Sequence, residues 1–285
     1  MTEIKTIGVV GAGTMGSGIA QVAAAAGYDV IMVDVAEELV QKGLNSIEKS
    51  LSRLVKKGKI SSDNMTEILA RIKGTVGMEA FSATQLVIEA AVERMEVKKE
   101  IFKNLDKICP EKTILASNTS GLSITEIGGA TARPHLVVGM HFFNPVPIMK
   151  LVEVVRGAAT SHDTFALAME ISRKLGKDPI SVNEAPLFAV NRILCPMINE
   201  AIFVLSEGTA SAEDIDKGMV LGANHPIGPL ALADLVGLDV LLMVTDNLYE
   251  ETGDSKYRAA PLLRKMVRAG YLGRKSGRGF YTYNN

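Results

Sequence analysis

Cysteine is scarce in this chain and neither sign of charge prevails. Cys109 and Cys195 are the only two in 285 residues; they lie far apart and each precedes a proline. Two such residues cannot build a disulfide framework or a tetrahedral metal centre, so a reducing cytoplasm is expected and no metal. Lys and Arg number 31 against 32 Asp and Glu, a formal net charge of −1, with no long block of like charges. That balance excludes the footprint of a nucleic-acid binder and a polybasic membrane tail, and it points to a small-molecule partner. There is no internal repeat and no low-complexity tract.

Charge is absent altogether from Thr6 to Tyr28. This is neither a signal peptide nor a membrane span, because Met1–Lys5 holds Glu3 as well as Lys5, and six glycines (8, 11, 13, 16, 18 and 27) interrupt the apolar run. So much glycine requires another reason. Ile4–Val10 is short, apolar and β-branched, as a buried parallel strand should be, and it leads directly into Gly11-Ala12-Gly13-Thr14-Met15-Gly16. Ser17–Ala26 then reads as a helix closed by Gly27, and Asp29–Asp34 as a second strand. The result is a βαβ unit.

Downstream, the helix expected over Glu37–Lys57 separates Leu44, Ile47, Leu51 and Leu54 from Lys42, Lys49, Arg53 and Lys56. Strands are expected over 85–90, 113–117, 136–142, 151–156 and 180–183, with helices over Met95–Ile108 and His162–Leu175 among them. Such alternation predicts an α/β fold: a doubly wound, mostly parallel Rossmann-type sheet. From about Pro186 strand-like runs cease. A long helix over Leu187–Glu207 with Pro196 inside it, a helix capped by Ser211 and ending at Gly222, and helices over 238–250 and 261–269 follow. The division expected is a dinucleotide-binding domain, 1–184, followed by an all-helical second domain, 185–285.

The glycine motif gains meaning from its setting: it follows a strand, opens a helix, and is followed by Asp34 eighteen residues after Gly16. Gly11 permits the turn, Gly13 lets the backbone, with Thr14 and Met15, approach a pyrophosphate, and Gly16 packs helix on strand. Asp34 would accept ribose hydroxyls. A 2′-phosphate would meet Asp34, Glu37 and Glu38 with no arginine near, so the expected cofactor is NAD, not NADP.

His141 is one of four histidines and lies near the end of a predicted strand, where ligands gather in doubly wound sheets. Glu153 falls inside the apolar run 151–155, and a buried carboxylate needs a partner. The nearest candidate is His141, whose tautomer a carboxylate would fix for acid–base work. A core histidine beside an unrelated glutamate is the alternative. Ser117-Asn118-Thr119-Ser120 puts small polar groups at another strand end or is a plain loop; Asn191, at the start of the long helix, is a site residue or a solvated position.

These residues resemble the L-3-hydroxyacyl-CoA dehydrogenase family, most closely its stand-alone bacterial branch, whose substrate pair is 3-hydroxybutyryl-CoA and acetoacetyl-CoA. The resemblance spans the chain through VVGAGTMGSGIAQ (9–21), SNTS (117–120), HFFNPVPIMKLVEVV (141–155), VNR (190–192), GANHPIGPL (222–230), GLD (237–239) and LGRKSGRGFY (272–281). It implies an NAD-dependent oxidoreductase with His141 as catalytic acid–base and Glu153 as its orienting partner. Ser120 and Asn191 would hold the reacting oxygen or the thioester carbonyl, and Asn144 would line the site. Glu93 and Lys98 would lie by the nicotinamide half of the cofactor, with Asn118, Ser120 and Asn144 as further cofactor contacts. The stripe at Arg53, Lys56 and Lys57 acquires a candidate ligand in the phosphates of an acyl-CoA thioester, against the bland reading of a solvated face. A homodimer through the helical domain is implied, with Met197, Ile198, Ile202, Leu241, Leu242 and Met243 available as apolar surface. The sequence departs from the family at Leu187, where glycine is usual, and at Ala231, where glutamate is usual. The rivals are another NAD-dependent β-hydroxyacid or sugar-acid dehydrogenase and a non-catalytic NAD-binding protein on the same fold.

Overall fold

The computed structural model describes residues 3–283, which divide into two compact units, one ending at Phe188 and the other beginning at Ala189. In the first unit the order is β1 (Thr6–Val10), α1 (Thr14–Ala25), β2 (Asp29–Asp34), α2 (Glu37–Lys56), α3 (Ser62–Ala70), β3 (Ile72–Val76) and β4 (Leu86–Glu89). It continues with α4 (Met95–Ile108), β5 (Ile114–Ser117), α5 (Ile124–Gly129), β6 (Val137–Phe142), β7 (Leu151–Arg156), α6 (His162–Lys174) and β8 (Asp178–Asn183). The second unit holds α7 (Val190–Ser206), α8 (Ala212–Gly222), α9 (Pro229–Val236), α10 (Leu238–Thr252) and α11 (Pro261–Arg268).

All eight strands form one sheet, ordered β3-β2-β1-β4-β5-β6-β7-β8. Strands β4, β5 and β6 are buried along their whole length, which is why their sequences are continuous apolar runs rather than alternating ones. Neighbours pair in parallel except β6 with β7. The reason is chain length: residues 143–150 are too few for a crossover, so β7 must return alongside β6. The crossover α6 then sets β8 parallel to β7. Ile19, Met32, Ile47, Leu51, Ile88 and Phe142, from strands and flanking helices alike, belong to one apolar core.

Four elements escape the sequence pattern. β3 (IKGTV) is an edge strand, part-exposed and weakly apolar, and it carries Gly74 because a Cβ there would stand 2.5 Å from Val40 on α2. The helices α3, α5 and α9, nine residues or shorter, have no counterpart among the expected elements.

The long helix expected from Leu187 starts instead at Val190. Leu187 and Phe188 have φ of +61° and +59°, outside any right-handed helix and strained for side chains with a Cβ by about 1–3 kcal/mol each. The glycine usual at Leu187 in the family would be free of that strain. Gly121 makes room for the leucine, since a Cβ on it would stand 2.5 Å from Leu187 Cδ2. In the second unit Asp216 accepts N–H groups of Leu230 and Ala231 at 2.8 Å, so the start of α9 is capped whatever side chain stands at 231. No helix among the described residues is long and apolar enough to cross a membrane.

Candidate active site

The crevice for a dinucleotide follows from strand order, because β1 pairs with β2 on one side and β4 on the other, and ligands of such sheets sit at the strand C-termini where the order reverses. At that point Gly11 takes φ +99° with Ala90 O in the space a Cβ would need. Gly16 lies so close beneath it that a Cβ would fall 1.8 Å from Gly11 O. Gly13, by contrast, has nothing within 4 Å of its Cβ position, and it opens α1 without any side-chain cap or first-turn acid. Exposed backbone N–H groups and a positive dipole end therefore face open space of the kind a pyrophosphate fills. Asp34, ending β2, is fixed by N–H groups of Ala12 and Val35, each at 2.7 Å. Its carboxylate keeps lone pairs for ribose hydroxyls. Glu37 and Glu38 stand exposed in the first turn of α2. The residues present fit NAD.

Across the antiparallel pair, His141 of β6 stands directly opposite Glu153 of β7. His141 Nδ1 lies 2.8 Å from Glu153 Oε2, with the carboxylate completely buried and the imidazole 6% exposed. With Nδ1 engaged, proton exchange falls to Nε2. Phe143 and Phe188 flank the ring, their centroids 4.4 and 5.9 Å from it.

The model of the 3-hydroxyacyl-CoA dehydrogenase NAD-binding domain matches residues 6–185, and that of the 3-hydroxyacyl-CoA dehydrogenase C-terminal domain matches 188–283. The chain belongs to the 3-hydroxyacyl-CoA dehydrogenase family. It is 54% identical over 278 residues to 3-hydroxybutyryl-CoA dehydrogenase of Clostridioides difficile, covering 98% of this chain and 99% of that protein. Human mitochondrial hydroxyacyl-coenzyme A dehydrogenase is 44% identical, with 98% and 91% covered. The crystal structure of (S)-3-hydroxybutyryl-CoA dehydrogenase from Ralstonia eutropha superposes with a TM-score of 0.98 at 55% identity, covering 99% of this chain and all of that one. An NAD-dependent dehydrogenase of this family is thus established, and its rivals fall away.

The other residues expected in a family active site are placed as follows. Glu93 takes hydrogen bonds from Thr119 Oγ1 (2.6 Å), Ser120 N (2.8 Å) and Ser120 Oγ (3.1 Å), so it fixes the loop after β5. Burial opposes its charge, but nearby Lys98, the Thr119 hydroxyl and the Ser120 N–H outweigh that and hold its carboxyl below the usual range. Lys98 is 1% exposed. It presents charge rather than surface to any ligand. Asn118 accepts the N–H of Phe142 at 2.9 Å, tying β5's end to that of β6. Asn144 is exposed in the loop after β6, and Asn191 is half-buried in the first turn of α7 in the second unit.

On α2, Lys42, Lys49, Arg53 and Lys56 are exposed opposite the buried Val40, Ile47 and Leu51, with Lys57 beside them. None of the five pairs with an acid among the described residues. The expected apolar surface of the second unit needs correction. Ile198, Ile202 and Leu241 belong to that unit's own core, because each faces inward on its helix; Met243 is exposed as expected, and Ile193, Leu221, Leu235, Val236, Val240 and Tyr249 are exposed as well.

Two residues were missed by the sequence reading. Glu89 ends the apolar strand LVIE fully buried, the same signal that singled out Glu153. Lys177 is buried with its ammonium donating to Met149 O at 2.8 Å and to Val146 O, which pins the loop bearing Asn144. Burial, then the charge of Lys150, pushes its pKa down. No local pattern marks it.

Proposed function

We propose that the protein interconverts 3-hydroxybutyryl-CoA and acetoacetyl-CoA, with His141 as acid–base and Glu153 as its orienting partner. The observation that carries this reading is the 2.8 Å contact of His141 Nδ1 with a fully buried carboxylate. The substrate pair is that of relatives more than half identical over nearly the whole chain.

The chemistry that bound NAD would supply is a hydride acceptor for C3, or a hydride donor in its reduced form. His141 Nε2 removes the C3 hydroxyl proton in the one direction and donates it in the other. Glu153 fixes the tautomer and favours the imidazolium that proton uptake creates. Ser120 and Asn191 hold the reacting oxygen or the thioester carbonyl; Asn144 lines the site. Gly11 to Gly16 and Asp34 receive the adenosine diphosphate half of the cofactor, while Glu93, Lys98 and Asn118 serve the nicotinamide half. Arg53, Lys56 and Lys57 bind coenzyme A phosphates. Residues 1–184 form the cofactor domain and 185–285 the substrate and dimerisation domain, with Leu235, Val236, Val240 and Met243 supplying apolar surface for a homodimer. Two free buried cysteines suit a cytoplasmic setting.

The test is nicotinamide absorbance with acetoacetyl-CoA. NADH is expected to be consumed, with kcat/KM above that for NADPH by at least about tenfold, or about 1.4 kcal/mol. Failure to turn over acetoacetyl-CoA overturns the substrate assignment, and equal use of both nucleotides overturns the role of Asp34.

A further inference from the structure

Lys98 has two acidic partners where one would neutralise it. Its ammonium lies 2.7 Å from Glu89 Oε1 and 3.2 Å from Glu93 Oε2. Glu89 is fully buried at the end of β4, whereas the Glu93 side chain is 33% exposed in the loop that follows. Hydrogen-bond accounting fixes the charge on Glu89. Its Oε1 also receives the Ala91 N–H at 2.7 Å, and its Oε2 lies 2.6 Å from Ser117 Oγ. The Ser117 hydroxyl donates to Glu89, and its oxygen in turn receives the Thr119 N–H at 3.2 Å. A group surrounded only by donors is a carboxylate. Glu93 likewise receives Thr119 Oγ1 and the Ser120 N–H.

Two carboxylates and one ammonium leave one negative charge in excess. Such an excess is costly near the protein interior unless something positive meets it. The excess sits at the C-terminal ends of β4 and β5, on the far side of the switch point from Asp34. We propose that Glu89 is a positioning residue: as the counter-ion of Lys98 it leaves the charge of Glu93 free to face the oxidised nicotinamide. This rests on the proposed placement of Glu93 beside that half of the cofactor. The oxidised ring carries a positive charge and the reduced ring none, so the device favours NAD⁺ relative to NADH. Without Glu89, Lys98 would cancel Glu93.

The experiment measures Kd for NAD⁺ and for NADH by calorimetry on the full-length protein without substrate. Glu89→Gln keeps the shape and removes the charge; it is expected to weaken NAD⁺ about fivefold or more while NADH changes less than about twofold. Glu93→Gln, at a side chain that is 33% exposed, is expected to shift the ratio of the two constants in the same direction. A purely structural role would move both constants together. An unchanged ratio in Glu93→Gln, or in a folded Glu89→Gln, with wild-type binding intact overturns the inference alone. Wild-type protein that binds neither nucleotide overturns the cofactor placement and the inference with it.

Discussion

His141 and Glu153 are register partners across β6 and β7, and the 2.8 Å contact between them joins the two middle strands of that half of the sheet below the surface. His141→Gln is expected to lower kcat by about 10²–10⁴ with NADH affinity intact, because the proton relay is lost and the cofactor site is not. Glu153→Gln keeps the shape but no longer holds the ring through a buried carboxylate. It should therefore lower kcat by about tenfold or more while NADH affinity and melting temperature stay near wild type. A variant that melts normally and keeps the wild-type kcat would refute the pairing.

The basic face of α2 carries a separate prediction. Arg53→Ala and Lys56→Ala should raise KM for the CoA ester several-fold and leave kcat nearly unchanged, since phosphate contacts are the same in ground and transition states. The difference from wild type should shrink at high salt. A pantetheine thioester, which lacks those phosphates, should be insensitive to both changes. Equal loss with the truncated thioester would rule out a phosphate contact.

Acid stability should depend on Glu93. Its carboxyl is held below the usual value of 4.5 in the folded protein, burial being outweighed by Lys98, Thr119 and Ser120. A depressed carboxylate stabilises the fold above its unfolded pKa, and that contribution disappears as pH falls through the folded value. The gap in melting temperature between wild type and Glu93→Gln should thus be widest near about pH 7 and close below about pH 4.5. Melts at stepped pH decide it. A gap that stays constant down to about pH 3 would mean that the Glu93 charge contributes nothing to folding.

Much of this was present in the sequence alone. Gly11 to Gly16 between a strand and a helix, with Asp34 ending the next strand, specify a dinucleotide turn through local sterics, and β2 and α4 match the expected ranges residue for residue. The apolar and basic faces of α2 follow from a period of 3.6 residues. Glu153 could be suspected because a charge inside an apolar run must find a partner. Tertiary structure alone decided that the partner is His141: the register of β6 against β7 does so, and a slip of one residue would turn Glu153 to the other face of the sheet. It also decided the start of α7, where Leu187 and Phe188 adopt positive φ that no propensity foretells. The Glu89–Lys98–Glu93 cluster and the grip of Lys177 on Met149 arise where strand ends and loops distant in sequence converge. Periodicity reports which face of an element is buried; which buried polar groups meet depends on which ends the sheet brings together.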